Sequence, residues 1–237
     1  MTHPHSSRCE ILRGARDALP VMFAVAPYAM VLGAQASQVG LSLVEVGAMT
    51  GLNFAGGSEF AAIKLWAAVP PMLTIVLITL LINSRHIVMG AALAPYLQHL
   101  PKRKVIPALF FMADEGWAIS YADTLRRSSA QQQTAFSWPY YWGACLPFYP
   151  VWVGFALIGA AIGPALGNIE AYGFAMAFPA VFIVLLRGMW KGPRLACSWL
   201  ISLLVAISVY LTVPGAWFVF AGVIAGMLFT YLRAIES

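Results

Sequence analysis

Phe54-Ala55-Gly56-Gly57-Ser58-Glu59-Phe60 interrupts an otherwise apolar segment that runs over residues 43–68. Inside a bilayer this combination needs a cause. Glycine pairs open or kink a helix, and the backbone groups they free are tolerated at membrane depth only where protein or a water-filled cavity satisfies them. A carboxylate there costs on the order of 3 kcal/mol on insertion scales, so it is read first as a functional group. The competing reading is structural: Gly56 and Gly57 let two helices approach closely, Ser58 bonds back to its own helix, and Glu59 reaches an interface or a lysine.

The surroundings of that stretch define the class. The chain has 237 residues, of which 61% are hydrophobic and 10% charged, with a mean hydropathy of +0.79. Soluble domains carry about 25% charged residues. This is the composition of an all-α integral membrane protein, a polytopic helical bundle with broken or re-entrant helices. At about 20 apolar residues per span it has room for about seven to eight transmembrane segments. The apolar runs are long and continuous, which excludes a β-barrel, whose strands alternate.

A net charge of +5 does not point to nucleic acid, because the basic residues sit singly or in short groups at the ends of apolar segments and act as topology signals. Residues 1–18 hold Arg8, Arg13 and Arg16 without an apolar core, so no cleavable signal is expected. They form a cytoplasmic N-terminal segment ahead of a membrane bundle over 19–233, one domain spanning 1–237. Cys9, Cys145 and Cys197 lack the spacing of a disulfide framework or metal cluster and read as packing residues. Neither metal nor cofactor is expected.

Apolar segments fall at 19–36, 42–68, 71–96, 105–122, 138–162, 171–189, 195–213 and 215–233. Pro27 should kink the first of them. Trp138, Tyr140, Tyr141 and Trp142 begin the fifth as interfacial anchors. Gly222 and Gly226 spell the close-contact pattern G-x-x-x-G in the last. Eight simple crossings satisfy the basic connections at Arg126-Arg127 and Lys191–Arg194 but place Lys102-Arg103-Lys104 outside. If the second and fourth segments were re-entrant hairpins, every basic connection would be cytoplasmic. Eight crossings is the favoured expectation.

Ionisable residues inside apolar segments are Glu59, Lys64, Arg85, His86, Asp114 and Glu115, all in segments two to four. The site is therefore expected in the first half, with the second half as scaffold. With His86 neutral, three carboxylates face two cations, and one bound proton would cancel the excess. The candidate proton-coupling groups are Asp114, Glu115 and Glu59. Structural ion pairs with Lys64 or Arg85 are the alternative. A zwitterionic amino acid suits this setting, since its ammonium needs a carboxylate or free carbonyls and its carboxylate a cation or a half-helix N-terminus. The substrate-binding candidates are Asn53, Gly56, Gly57, Ser58, Glu59, Asn83, Arg85 and His86.

Residues 54–60, followed by Asn83-Ser84-Arg85-His86 with Gly90 and Leu93-Ala94-Pro95, then Asp114-Glu115, Gly167-Asn168-Ile169-Glu170 and Phe178-Pro179-Ala180, resemble the AzlC-type family over most of the chain. That family is the large subunit of branched-chain amino acid exporters. The resemblance implies a multi-pass protein of the bacterial inner membrane, N-terminus cytoplasmic. It implies work with a small AzlD-type membrane subunit and export of hydrophobic amino acids (valine, leucine, isoleucine, in some members methionine) against the proton gradient. The family pattern usually has glutamine where this chain has Glu59.

The same residues fit two rival classes. Gly56-Gly57-Ser58-Glu59 fits the loose G-x-S-x pattern of an intramembrane serine hydrolase, with His86 as base for Ser58, although such pairs are recognised by geometry. A channel lined by the same polar residues is the other, separable from a transporter by uphill, proton-dependent movement.

Overall fold

The computed structural model describes residues 7–130, 135–166, 192–213 and 217–235, together with Ile183 and Arg187. The expected segment at 171–189 and the motifs at 167–170 and 178–180 lie outside the described residues. Every regular element among those described is helical, as an all-α membrane protein requires. Among the described residues three helical stretches are long and apolar enough to cross a membrane: Ser7–Gln38, Met72–Leu97 and Trp138–Ala165.

The frame is a parallel pair. Helix α1 (Ser7–Gln38) lies along α8 (Trp138–Cys145) and α9 (Phe148–Leu166), backbone against backbone. Gly33 and Gly159 make this possible: a methyl at Gly33 would lie 1.8 Å from the Ala156 carbonyl oxygen, and one at Gly159 2.0 Å from that of Met30. Such crossings through small residues are a membrane habit. Near the other end of α1, Gly143 meets Ile11 in the same way. Residues 11, 30 and 34 thus pair with 143, 159 and 163, so the two run in the same direction. Pro20 and Pro27 are accommodated within one helix assignment.

Two helices joined in parallel require the chain between them to make an odd number of crossings, and among the described residues one stretch between them, Met72–Leu97, is long and apolar enough to cross. After α1, Gly40 takes a positive φ of 92° and Ser42 caps α2 (Leu43–Asn53) with a full capping box to Glu45. Helix α2 descends beside α9, Gly47 against Leu157 and Gly51 against Tyr149. Phe54 then adopts the left-handed conformation, φ 47°, and the chain reverses into α3 (Gly56–Lys64). Trp66 ends in the same groove as Leu41 and Glu45, back at the end from which α2 started.

The crossing follows. Helices α4 (Met72–Asn83) and α5 (Arg85–Leu97) join through Ser84, which keeps helical angles. Together they are about 39 Å long at 1.5 Å per residue. A second hairpin starts at their far end: α6 (Lys102–Phe110) rises, and α7 (Asp114–Ser129) returns. Its outgoing leg packs on Leu93 and Leu97 through Ala108. Its returning leg finishes with Asp123 and Arg127 on Arg13 and Glu10 of α1.

The expectation of eight simple crossings therefore gives way to the hairpin arrangement for segments two and four. The physical reason is length: legs of 11 and 9 residues are about half of the 20 that a span needs. The break also falls at Phe54-Ala55 rather than at the glycine pair, which sits inside the first turn of α3.

Helix α10 (Pro193–Thr212) and α11 (Trp217–Ile235) form an antiparallel pair. Gly222 faces Ser202 and Ala206, and Gly226 faces Ser202 and Ser198, with Ser202 Oγ donating to the Gly222 carbonyl at 2.7 Å. The G-x-x-x-G motif is a close contact, as expected. Tyr140 and Tyr141, by contrast, are fully buried rather than interfacial. Their hydroxyls donate to Asp17 and to the Ala108 carbonyl, both at 2.7 Å. Cys145 is buried as expected of a packing residue, whereas Cys9 is exposed and Cys197 intermediate.

Candidate functional site

The tips of the two hairpins meet. Phe54 at the first tip lies 6.5 Å, ring to ring, from Phe110 at the second, and both lean on Tyr149, with Phe54 edge-on at 5.2 Å and Phe110 at 6.2 Å. Tyr149 in turn donates its hydroxyl to the Gly51 carbonyl at 2.9 Å, one of the carbonyls left open where α2 ends. This packing holds Phe54 in a backbone conformation that costs a non-glycine residue roughly 1–2 kcal/mol.

A small cavity of ≈ 50 Å³ lies beside the tips, well under the roughly 300 Å³ at which preformed small-molecule sites begin. Part of its lining is apolar and aromatic: Val25, Tyr28, Phe148 and Trp152. The rest includes Gly56 and Gly57, Arg85 and His86, Asp114 and Glu115. Both half-helices that leave the tips point their N-termini here, α3 at Gly56 and α7 at Asp114. Helix N-termini carry partial positive charge and unpaired N–H groups, so the cavity offers anion-binding backbone and carboxylates side by side.

Arg85 and Asp114 form an ion pair, Nη1 to Oδ2 at 2.9 Å, which ties the crossing helix to the second hairpin. Neither is satisfied by it. Arg85 Nε, Asp114 Oδ1 and Asn83 Oδ1 are buried atoms with no hydrogen-bond partner. The orphaned atoms of Arg85 and Asp114 belong to residues that line one cavity, and they fit a polar ligand better than an apolar packing contact. Glu115 shares the cavity and forms no ion pair among the described residues.

Glu59 is 1% exposed and stands outside the lining of this cavity; with Asn53 and Ser58 it borders a second groove. Its Oε1 accepts from the Ala55 N–H at 2.9 Å and at 3.4 Å from Asn53 Nδ2, while Oε2 accepts from the Trp152 indole at 2.9 Å. The departure from glutamine thus has a geometric counterpart, two oxygens that both accept. Asn53 also donates to Ser58 Oγ at 2.9 Å and accepts from Asn83 Nδ2 at 3.1 Å, a chain linking the hairpin to α4. Lys64 is exposed at the end of α3, so it leaves the set of interior cations.

Ser58 Oγ donates to the Ala55 carbonyl at 2.9 Å, and His86 Nδ1 lies 3.1 Å from the Asn83 carbonyl oxygen. The two side chains engage different partners, and the serine–histidine pair of the hydrolase reading is not assembled. The second half also contributes to this lining, through Phe148 and Trp152; Trp152, an indole in mid-segment rather than at a span end, carried the signal in the sequence.

These features define an all-α integral membrane protein whose site is built from two broken, inward-turning helices. The chain belongs to the AzlC protein family, whose model matches residues 20–166. It is 25% identical to an inner membrane protein of Escherichia coli, YgaZ, over 98% of this chain and 94% of that one. It is 30% identical to an uncharacterized membrane protein of Archaeoglobus fulgidus over 80% of each. It is 27% identical to the branched-chain amino acid transport protein AzlC of Bacillus subtilis, over 84% of this chain and 76% of the other. No solved structure matches it.

Proposed function

We propose that this chain is a membrane transporter subunit, not an enzyme, that exports branched-chain or other hydrophobic amino acids by proton antiport. It works with a small AzlD-type membrane subunit in a bacterial inner membrane, with its N-terminus cytoplasmic. The observation that carries the reading is the cavity itself, whose lining joins acids and half-helix N-termini with aromatic side chains. A zwitterion with a hydrophobic side chain has that distribution. Its ammonium goes to Asp114 Oδ1 and Glu115, its carboxylate to Arg85 and the Gly56-Gly57 backbone, and its side chain against Tyr28, Phe148 and Trp152. The name of the Bacillus subtilis relative supports the substrate class.

Protons enter through the carboxylate excess. Arg85 pairs with Asp114 while Glu115 in the same lining has no ion pair among the described residues, so an arriving ammonium competes with a bound proton for these acids, which is the exchange that antiport needs. The test is directional. Cells producing the chain with its small partner and loaded with a leucine- or methionine-containing dipeptide should accumulate less free amino acid than control cells. An uncoupler should remove the difference. Unchanged levels of every hydrophobic amino acid would overturn the reading.

A further inference from the structure

Trp152 is the largest side chain in the cavity wall, and its position is fixed from two sides. Its indole N–H donates to Glu59 Oε2 at 2.9 Å. The far edge of its six-membered ring lies over Gly56, where a methyl would come within 2.7 Å of Cη2 and 2.9 Å of Cζ2. Only a residue without a side chain lets the ring lie this close to α3. Tyr28 backs it at 5.7 Å between centroids, itself stacked at 4.6 Å on Phe60. The ring has nowhere to retreat: Trp152 is 6% exposed.

The anchor depends on a carboxylate. Glu59 meets N–H donors on both oxygens, a demand that two acceptors satisfy and an amide does not. With its carbonyl on the Ala55 N–H, a glutamine would turn its NH₂ toward the indole N–H, donor against donor.

We infer that Trp152, held by Glu59 across Gly56, is the specificity-determining wall of the cavity. It sets the upper size of the substrate side chain and favours a branched aliphatic chain over an aromatic one. The inference rests on the cavity being the amino acid site. Glu59 acts through Trp152 and is a positioning residue rather than a substrate contact.

The test uses the full chain in lipid nanodiscs, with radiolabelled leucine as probe and unlabelled valine and phenylalanine as competitors. Trp152→Phe should lower the preference for leucine over phenylalanine about tenfold, the scale on which pocket size discriminates. Glu59→Gln should shift it in the same direction, and the double variant should equal Trp152→Phe alone, because both remove one hydrogen bond. Gly56→Ala, which pushes the ring inward and keeps its N–H, should raise the preference for valine over leucine. It serves where Trp152→Phe fails to accumulate. Retained leucine binding with an unchanged leucine-to-phenylalanine preference in Trp152→Phe would overturn the inference, as would effects of Glu59 and Trp152 that simply add. A parent protein that binds none of these amino acids would overturn the substrate reading beneath it, a different failure.

Discussion

Arg13 and Asp123, 110 positions apart, meet head-on, Nη1 to Oδ1 at 2.8 Å and Nη2 to Oδ2 at 3.0 Å. Around them Arg127 bonds both Asp123 and Glu10, and Ser137 donates to Glu10 at 2.8 Å. The network fastens the returning leg of the second hairpin to α1 and α8. Arg13 and Arg127 thus have a structural role beyond marking a membrane face, and the guanidinium of Arg13 also lies 4.1 Å over the Tyr140 ring.

Asp123, at the mouth of its hairpin, gives the network a pH dependence. Burial alone would push its carboxyl up, but the hydrogen bonds from Arg13 and Arg127 and their charges outweigh that and hold it below the usual range. The folded-state pKa lies below the unfolded one, so the stabilisation is complete above about pH 4 and is lost as pH falls through the folded value. Thermal midpoints should drop on acidification in that window. Asp123→Asn should lower the midpoint at neutral pH, by about 3 kcal/mol of stability if it acts like a broken buried pair, and flatten the acid-side fall. An unchanged pH profile would show that the network does not hold the hairpin.

The parallel frame makes a steric prediction. Gly33→Ala sets a methyl 1.8 Å from a backbone oxygen, where no side chain can yield. It should cost at least about 1–3 kcal/mol, as overpacking does, and reduce the membrane level of the protein. Gly47→Ala meets only the end of Leu157 at 3.4 Å and should accumulate normally. Equal levels of the two would count against the close parallel contact.

The hairpins can be tested by labelling. In a background lacking Cys9, Cys145 and Cys197, cysteines at Lys102 and Ser129 should react from the same side of the membrane, and one at Lys64 from the other. Opposite-side labelling of Lys102 and Ser129 would restore a simple crossing for 102–129.

Asp114 and Glu115 are separable by charge. Asp114→Asn leaves Arg85 without its ion-pair partner, and Glu115→Gln breaks no ion pair. Glu115→Gln should therefore keep a normal membrane level and block uphill export while permitting downhill exchange. Asp114→Asn should lower the level as well. Intact uphill export in both would mean that neither carries the proton.

Ser58→Ala removes a donor to the Ala55 carbonyl and an acceptor for Asn53, at a cost of about 1 kcal/mol or somewhat more. Transport should persist in part. Complete loss with a normal membrane level would point back to a chemical role for the hydroxyl.

Much of this was legible because membrane burial makes polar residues conspicuous. Gly56, Gly57, Arg85, His86, Asp114 and Glu115 stand out of apolar sequence, and the structure brings them to one cavity. The conflict of basic connections over Lys102 offered hairpins as the alternative to the eight crossings expected, since a turn-back reconciles it with the other two. What sequence hid was of another kind. Trp152 and Tyr28 are ordinary in a membrane segment, and nothing local says that an indole will cross to a carboxylate 93 positions away. Gly33 and Gly159 carry no pattern linking one to the other, because a parallel contact between distant helices leaves no periodic trace.

That separation of 93 positions also orders events at the ribosome. A ribosome adding about 5–20 residues per second finishes α3 roughly 5–20 seconds before Trp152 leaves it. During that interval Glu59 lacks its indole donor, and the legs of its hairpin are about half the length of a span. Until α9 is made, α3 has only earlier helices, α1 and α4 among them, to pack on. The site is finished last in the very place where the chain was made early.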